Sequence, residues 1–279
     1  MSGPSLAGIE RPGFVTLGGF DAAKRPTRRR RHSGAERLFG VVLLIGAWQL
    51  ASTVGLIDAQ TLAGPSTVVR SGWHLIQDGT LQSAVWVSLR RVVEGVAIGV
   101  PIATLLALIS GLSRLGENTV DAPMQMLRFL PIIGLQPLIV LWFGIGNTAK
   151  VSLIVLGVVF PVYINAFAAI RAIDPRHFEL AQTVGLGRFA TIRRVVLPGA
   201  LPGFLVGLRL AAAVAWLILV FAEQINATNG VGFLMIRAQE FFQTDIIVVG
   251  LAVYATLGLV SDSLVRLLER RALQWRASR

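Results

Sequence analysis

Apolar and polar positions alternate along the chain in long blocks. Six apolar segments stand out, residues 38–57, about 84–112, 120–143, 150–170, 200–222 and 246–265. Each is close to the ~20 residues that an α-helix needs to cross the hydrocarbon of a bilayer. The pattern predicts an all-α membrane protein with six transmembrane helices. The second segment carries Arg90, Arg91 and Glu94, so its lipid-embedded part is expected to begin near Gly95, with the preceding turns at the interface. Arg90 and Glu94, four apart on one helix, are placed to pair. Pro101, Pro131 and Pro137 fall inside apolar segments and predict kinks.

The polar blocks define the rest. Residues 1–37, rich in Gly, Pro, Ser and Arg, predict a disordered basic tail. The apolar run 38–57 that follows is too long for the core of a signal peptide and is expected to stay as the first transmembrane helix. Residues 58–83 form an outer segment in which Pro65 opens an amphipathic helix carrying Val68, Trp73, Leu75 and Ile76. Residues 84–270 make up a core with five transmembrane helices, and residues 271–279 a second basic tail. Gly199, Gly203 and Gly207, continued by Ala211 and Ala215, form a smooth ridge for close helix packing, against another helix of the chain or against a second copy. Gly95 and Gly99 offer a shorter version.

Composition agrees with lipid. The chain of 279 residues is 54% hydrophobic and 15% charged, with a mean hydropathy of +0.67, outside the range of ordinary soluble domains. The net charge of +11 rests on basic residues crowded into the first 37 positions, residues 171–194 and the last 14. With the N-terminus inside, nineteen basic residues face the cytoplasm and three to five the outside. That asymmetry predicts both termini in the cytoplasm and a multi-pass protein of a bacterial plasma membrane. It marks topology rather than nucleic-acid binding. For Arg28 to Arg31 topology is the first reading and contact with anionic lipid the second.

Catalytic chemistry is poorly supplied. There is no cysteine, and His32, His74 and His177 lie in three separate polar blocks, so neither a metal centre nor an acid–base cluster can be read. The sequence holds no phosphate-binding G-x-x-x-x-G-K-[ST] loop. No cofactor is expected in this chain, and no enzymatic activity. Three ionisable residues at membrane depth remain, Arg128, Arg209 and Glu223; each should face protein or water, because a charge in lipid costs at least ~2.5 kcal/mol. They are the candidates for a pathway or gate, Glu223 also for docking a binding protein. The apolar segments offer little acidity for ion coupling beyond Glu94 and Glu223.

The polar segment between the fourth and fifth apolar runs, "ELAQTVGLGRFATIRRVVLP", predicts a helix, a turn at Gly185-Leu186-Gly187 and a second short helix ending at Leu197-Pro198. Its apolar residues, among them Phe178, Leu180, Val184 and Phe189, call for a partner surface. Glu179, Ala181, Gly185, Leu197 and Pro198 match, at the full spacing, the EAA motif of binding-protein-dependent ABC importer permeases, with Leu180 and Val195 as apolar departures. Stretches such as "LRFLPIIGLQPLIVLWFGIGNTAK" and "GLRLAAAVAWLILVFAE" make residues 38–275 resemble the permeases of aliphatic sulfonate, taurine and nitrate importers.

The resemblance implies a type I ABC importer permease fold. It implies two copies of the permease forming the pathway, two cytoplasmic ATPase subunits that hold ATP and Mg, and an extracytoplasmic solute-binding protein. Residues 171–199 become the ATPase-coupling loop. Gly185 is expected to permit a turn where a Cβ would clash, and Glu179 to cap or to pair with a basic residue. The implied cargo is a small anion, aliphatic sulfonate first, then taurine or nitrate, with vitamin precursors also carried by similar permeases. A self-sufficient secondary transporter or channel is the alternative.

Overall fold

The computed structural model describes residues 34–58, 60–225 and 227–274. The Arg28 to Arg31 run and residues 275–279 lie outside them. The chain divides into two units, Met1–Leu44, whose described part is the start of the first helix, and Ile45–Arg279.

The described residues are helical throughout, with no strand among them. In chain order the helices are α1 (Gly34–Thr53), α2 (Pro65–Gln77), α3 (Thr80–Leu112), α4 (Arg114–Gly116), α5 (Ala122–Leu127), α6 (Gln136–Phe143), α7 (Asn147–Arg171), α8 (Pro175–Thr183), α9 (Arg188–Thr191), α10 (Leu197–Gln224), α11 (Val231–Glu240) and α12 (Thr244–Ala272). Four apolar stretches are long enough to cross a membrane: α3, α7, α12 and the run Arg188–Gln224 that includes α10. Leu141, Leu217, Leu251 and Leu259 are among many large apolar side chains they and α6 leave exposed. A soluble monomer does not carry so much exposed apolar surface; lipid accounts for it.

The third expected segment differs. Arg114–Leu127 and Ile132–Phe143 meet at a bend of 92° instead of forming a straight span. Pro131 stands at the bend, in extended backbone. It supplies no N–H and biases the residue before it away from the helix. Pro137 sits in the first turn of α6, where a missing N–H is harmless. Pro101 lies inside an unbroken α3. The first segment is described as the shorter apolar helix Phe39–Thr53.

Helix α7 is the axis of the bundle, with α3 on one side and α10 on the other. Small residues bring the backbones together. A Cβ added at Gly99 of α3 would lie 2.9 Å from Val158 Cγ1. One at Gly203 would lie 2.5 Å from Ala169, and one at Gly207 would lie 2.8 Å from the Pro161 carbonyl. Ala211 and Ala215 continue the seam, fully buried. The glycine ridges therefore face α7 of the same chain, where close approach maximises dispersion contact. They are not left open for a second copy.

Helix α2 forms where Pro65 predicts it. It packs on α12, with Gly72 against Val249 and a hydrogen bond from Ser71 Oγ to Asp245. Val68, Ser71, Gly72 and Leu75 form the half-buried stripe, whereas Trp73 and Ile76 stay exposed. His74, also exposed, lies away from that stripe.

Candidate functional site at the two ends of the bundle

Helices α7 and α10 each run the length of the bundle. At ~1.5 Å per residue, the 28 residues of α10 span about 42 Å. The segment between α7 and α10 occupies one end; a buried cluster of charges occupies the other.

Asp174 starts the segment between α7 and α10 as N-cap of α8, its carboxylate accepting from the Arg176 N–H at 2.9 Å, with Pro175 in the first turn. This is favourable helix-start chemistry on both counts. The end of α8 is equally specific. Gly185 takes φ +75°; its N–H donates to the Gln182 carbonyl and the Leu186 N–H to the Ala181 carbonyl, both at 2.9 Å. This pair of bonds is a Schellman motif, which satisfies carbonyls the helix leaves open. The demand on Gly185 is conformational. Nothing lies within 4 Å of where its Cβ would be, so the expected steric clash does not exist and the left-handed φ alone selects glycine.

The second half of the segment departs from expectation. Rather than ending at Leu197-Pro198, α9 passes through a single π-helical turn, Ile192–Val196, into α10. A π turn shifts the hydrogen-bond register at the point where Pro198 withdraws an N–H, so the helix survives the proline. Leu197 and Pro198 thus lie at the root of α10. The second half of the segment is an extension of a membrane-length helix, and α8 is joined to α7 by three residues.

Ala181 is buried, which seats α8 on the body of the protein. Leu180, Val184 and Phe189 stand 63, 70 and 78% exposed. Glu179 is exposed, and among the described residues its carboxylate makes no bond within the segment. A cavity of about 520 Å³ lies behind the knob, lined by Ser113, Phe178, Leu186 and Ile192 among others. Nearby, Arg171 at the end of α7 pairs with Glu117 at 3.2 Å, and Tyr163 donates to Asp121 at 2.9 Å.

At the opposite end Glu223, 1% exposed, meets Arg91, 5% exposed. Arg91 Nη1 donates to Glu223 Oε1 at 2.6 Å. Ser88 Oγ donates to the same carboxylate at 2.8 Å, the Gly232 N–H at 2.9 Å and Tyr254 Oη at 3.0 Å. Three further guanidinium donors go to the Asn229 carbonyl and side chain and to Asn147 Oδ1. Asn147 in turn donates to Glu94, which holds Arg90 at 2.6 Å, the pair expected from their spacing. One carboxylate and one guanidinium thereby tie α3, α7, α10, α11 and α12 together. With every lone pair answered, the pair avoids the cost of an uncompensated buried charge. Glu223 is accordingly a clamp inside the fold, not a group on the surface that a binding protein would meet. Arg91 belongs to that core rather than to the interface.

Arg209 and Arg128 take different places. Arg209 Nε donates to Asp262 on α12 at 2.6 Å, and Asp262 also binds Arg266. Asp262 and Asp245 add acidity to the last apolar helix beyond Glu94 and Glu223; Asp262, four before Arg266 inside an apolar run, is the sequence signal for the first of them. Arg128 caps α5 at the bend, exposed, with its guanidinium 4.8 Å from the Phe129 ring centre. Among the described residues no group of three metal-ligating side chains occurs.

A bundle of four to five membrane-length helices, pinned by buried charge at one end and carrying a capped helical knob at the other, is that of a multi-pass membrane transport subunit. The chain belongs to the binding-protein-dependent transport system inner membrane component family, which matches residues 99–274. It is an ABC importer permease set in the inner membrane, and ATP hydrolysis belongs to a separate subunit. It is 36% identical over 269 residues to the aliphatic sulfonates transport permease protein SsuC of Bacillus subtilis (strain 168), covering 96% of this chain and 98% of that one. Identity to SsuC of Escherichia coli (strain K12) is 44%, over 83% and 88%. Identity to the taurine transport permease TauC of the same strain is 34%, over 84% and 87%. A crystal structure of a bacterial ABC transporter for the import of the acidic polysaccharide alginate shares the fold, with a TM-score of 0.56 at 19% identity, over 88% of this chain and 96% of that one.

Proposed function

We propose that this permease imports a small anion, an aliphatic sulfonate first and taurine or nitrate next. The observation that supports the cargo is the kinship to sulfonate permeases over nearly the whole chain. In this reading the bent pair counts as one span and α1 as another, giving six, with both termini in the cytoplasm. Two copies form the pathway in the lipid, two ATPase subunits bind ATP and Mg, and an extracytoplasmic binding protein delivers the solute.

Residues 171–199 couple the permease to the ATPase. The exposed Leu180, Val184 and Phe189 fill a groove on that subunit, and Glu179 pairs with a basic group there. Because α9 continues into α10, displacement of the groove tilts α10 directly, while the short link to α7 lets α8 turn. A coupled element of this kind moves only as far as the two ATPase states differ in their hold on it.

In the pathway, Arg128 and Arg209 supply positive charge for the anion. Asp262 offsets part of the Arg209 charge, which makes Arg128 the stronger attractor. Glu223 acts on any gate indirectly, by holding the helices that frame it. The test is uptake of ethanesulfonate by vesicles holding permease, ATPase and binding protein. ATP-dependent uptake supports the reading; uptake by the permease alone, or none by the full assembly, would overturn it.

A further inference from the structure

A cavity of about 650 Å³ opens beside the Arg91–Glu223 clamp, at the end of the bundle away from the coupling segment. Its polar lining includes Thr80 and Ser83 of α3, Thr228 and Asn229 of the loop before α11, and Arg237 of α11. No carboxylate belongs to the lining. The Arg237 guanidinium lies 5.8 Å from the centre of the Phe233 ring, and among the described residues it forms no ion pair. Val87, Phe233 and Phe241 supply an apolar wall.

This pairing of chemistries is selective. A guanidinium presents parallel N–H donors that match the oxygens of a sulfonate or similar oxyanion. Hydroxyl and amide groups complete such a shell, and the apolar wall suits a short alkyl chain. Cations find no carboxylate there, and a fully hydrated ion leaves the wall unsatisfied. The cavity volume falls in the range of small-molecule sites. One edge is also fixed in advance. The Asn229 carbonyl and side chain both accept from the buried Arg91, so the loop bearing Thr228 and Asn229 is held without a ligand.

We propose that this cavity is a reception site for an alkanesulfonate-class anion, with Arg237 holding the sulfonate and Val87, Phe233 and Phe241 the alkyl chain. The inference rests on the anion reading above and adds a site to it. Its place at the far end from the ATPase knob fits capture before passage through the bundle.

The permease in lipid nanodiscs, without ATPase or binding protein, is titrated with ethanesulfonate by saturation-transfer NMR, with ethylammonium as the control. Saturable binding that weakens with salt is expected for ethanesulfonate and not for ethylammonium. Arg237→Gln and Ser83→Glu change exposed positions and should leave the unfolding midpoint unchanged. Arg237→Gln should weaken binding about tenfold, the loss of one charge-assisted bond, and Ser83→Glu by a similar factor through repulsion of the anion, whereas Arg237→Lys should retain part of it. Equal affinity in Arg237→Gln and wild type, or no saturable binding, would overturn the site. The two levels separate in the complete importer. Ethanesulfonate uptake untouched by Arg237→Gln sinks the cavity and leaves the sulfonate reading standing. Failed uptake alongside Arg237-dependent binding sinks the cargo and supports the anion site.

Discussion

The two ends of α10 solve opposite problems. At Glu223 four donors from three helices, α3, α11 and α12, meet one buried carboxylate of α10. Near the other end Leu180 of α8, Val184 at its C-cap and Phe189 of α9 stand in the open, while α8 itself is capped at both ends. The first region is complete within the chain; the second has its backbone settled and its side chains unspent. The contrast separates a clamp closed inside the fold from an apolar face left open, although both are polar interruptions in an apolar sequence. It teaches that charge in a membrane segment marks a partner inside the fold, and that apolarity in a polar segment, on the function proposed above, marks one outside it.

The comparison can be broken most forcefully at the clamp. Glu223→Ala strands the Arg91 guanidinium inside the fold, and removing one partner of a buried pair costs about 3–5 kcal/mol. Thermal unfolding in detergent should show a severe loss, and the double variant Arg91→Met, Glu223→Met should recover much of it. A mild effect of the single change would place the carboxylate in water. Gly203→Leu comes next. Its side chain meets Ala169 and the Asn165 carbonyl, and overpacking of this kind costs about 1–3 kcal/mol; the same unfolding measurement reports it.

Smaller still is the stability effect at the knob. Leu180→Asp and Phe189→Asp alter exposed sites, so the permease alone should unfold within about 0.5 kcal/mol of wild type. Co-purification of the ATPase should nevertheless be lost. Gly185→Val, which forces a β-branched residue into a left-handed backbone, should cost about 1–2 kcal/mol and weaken ATPase binding through the turn.

Much of this was legible in the chain. Hydropathy located the apolar helices because burial in lipid is a local property of each window. Gly203 and Gly207 were visible as a packing seam, and Gly185 as a turn, since glycine spacing carries backbone information. The partners were not legible. Arg91 and Glu223 lie 132 positions apart, and Arg209 and Asp262 lie 53 apart; no periodicity links such pairs. The 92° bend was foreshadowed by Pro131 in kind but not in size. The π turn before Pro198 escaped for a related reason: a proline read alone stops a helix, and only the widened register around it shows that this one does not.

Hydrogen exchange read by mass spectrometry tests the division directly, on the permease alone and bound to its ATPase, because amides report local opening. The account predicts slow exchange at residues 219–223 and 231–235 in both states. Residues 176–189 should exchange fast alone and become protected in the complex. Equal protection of residues 176–189 in both states, or ATPase-dependent protection at the clamp, would contradict it.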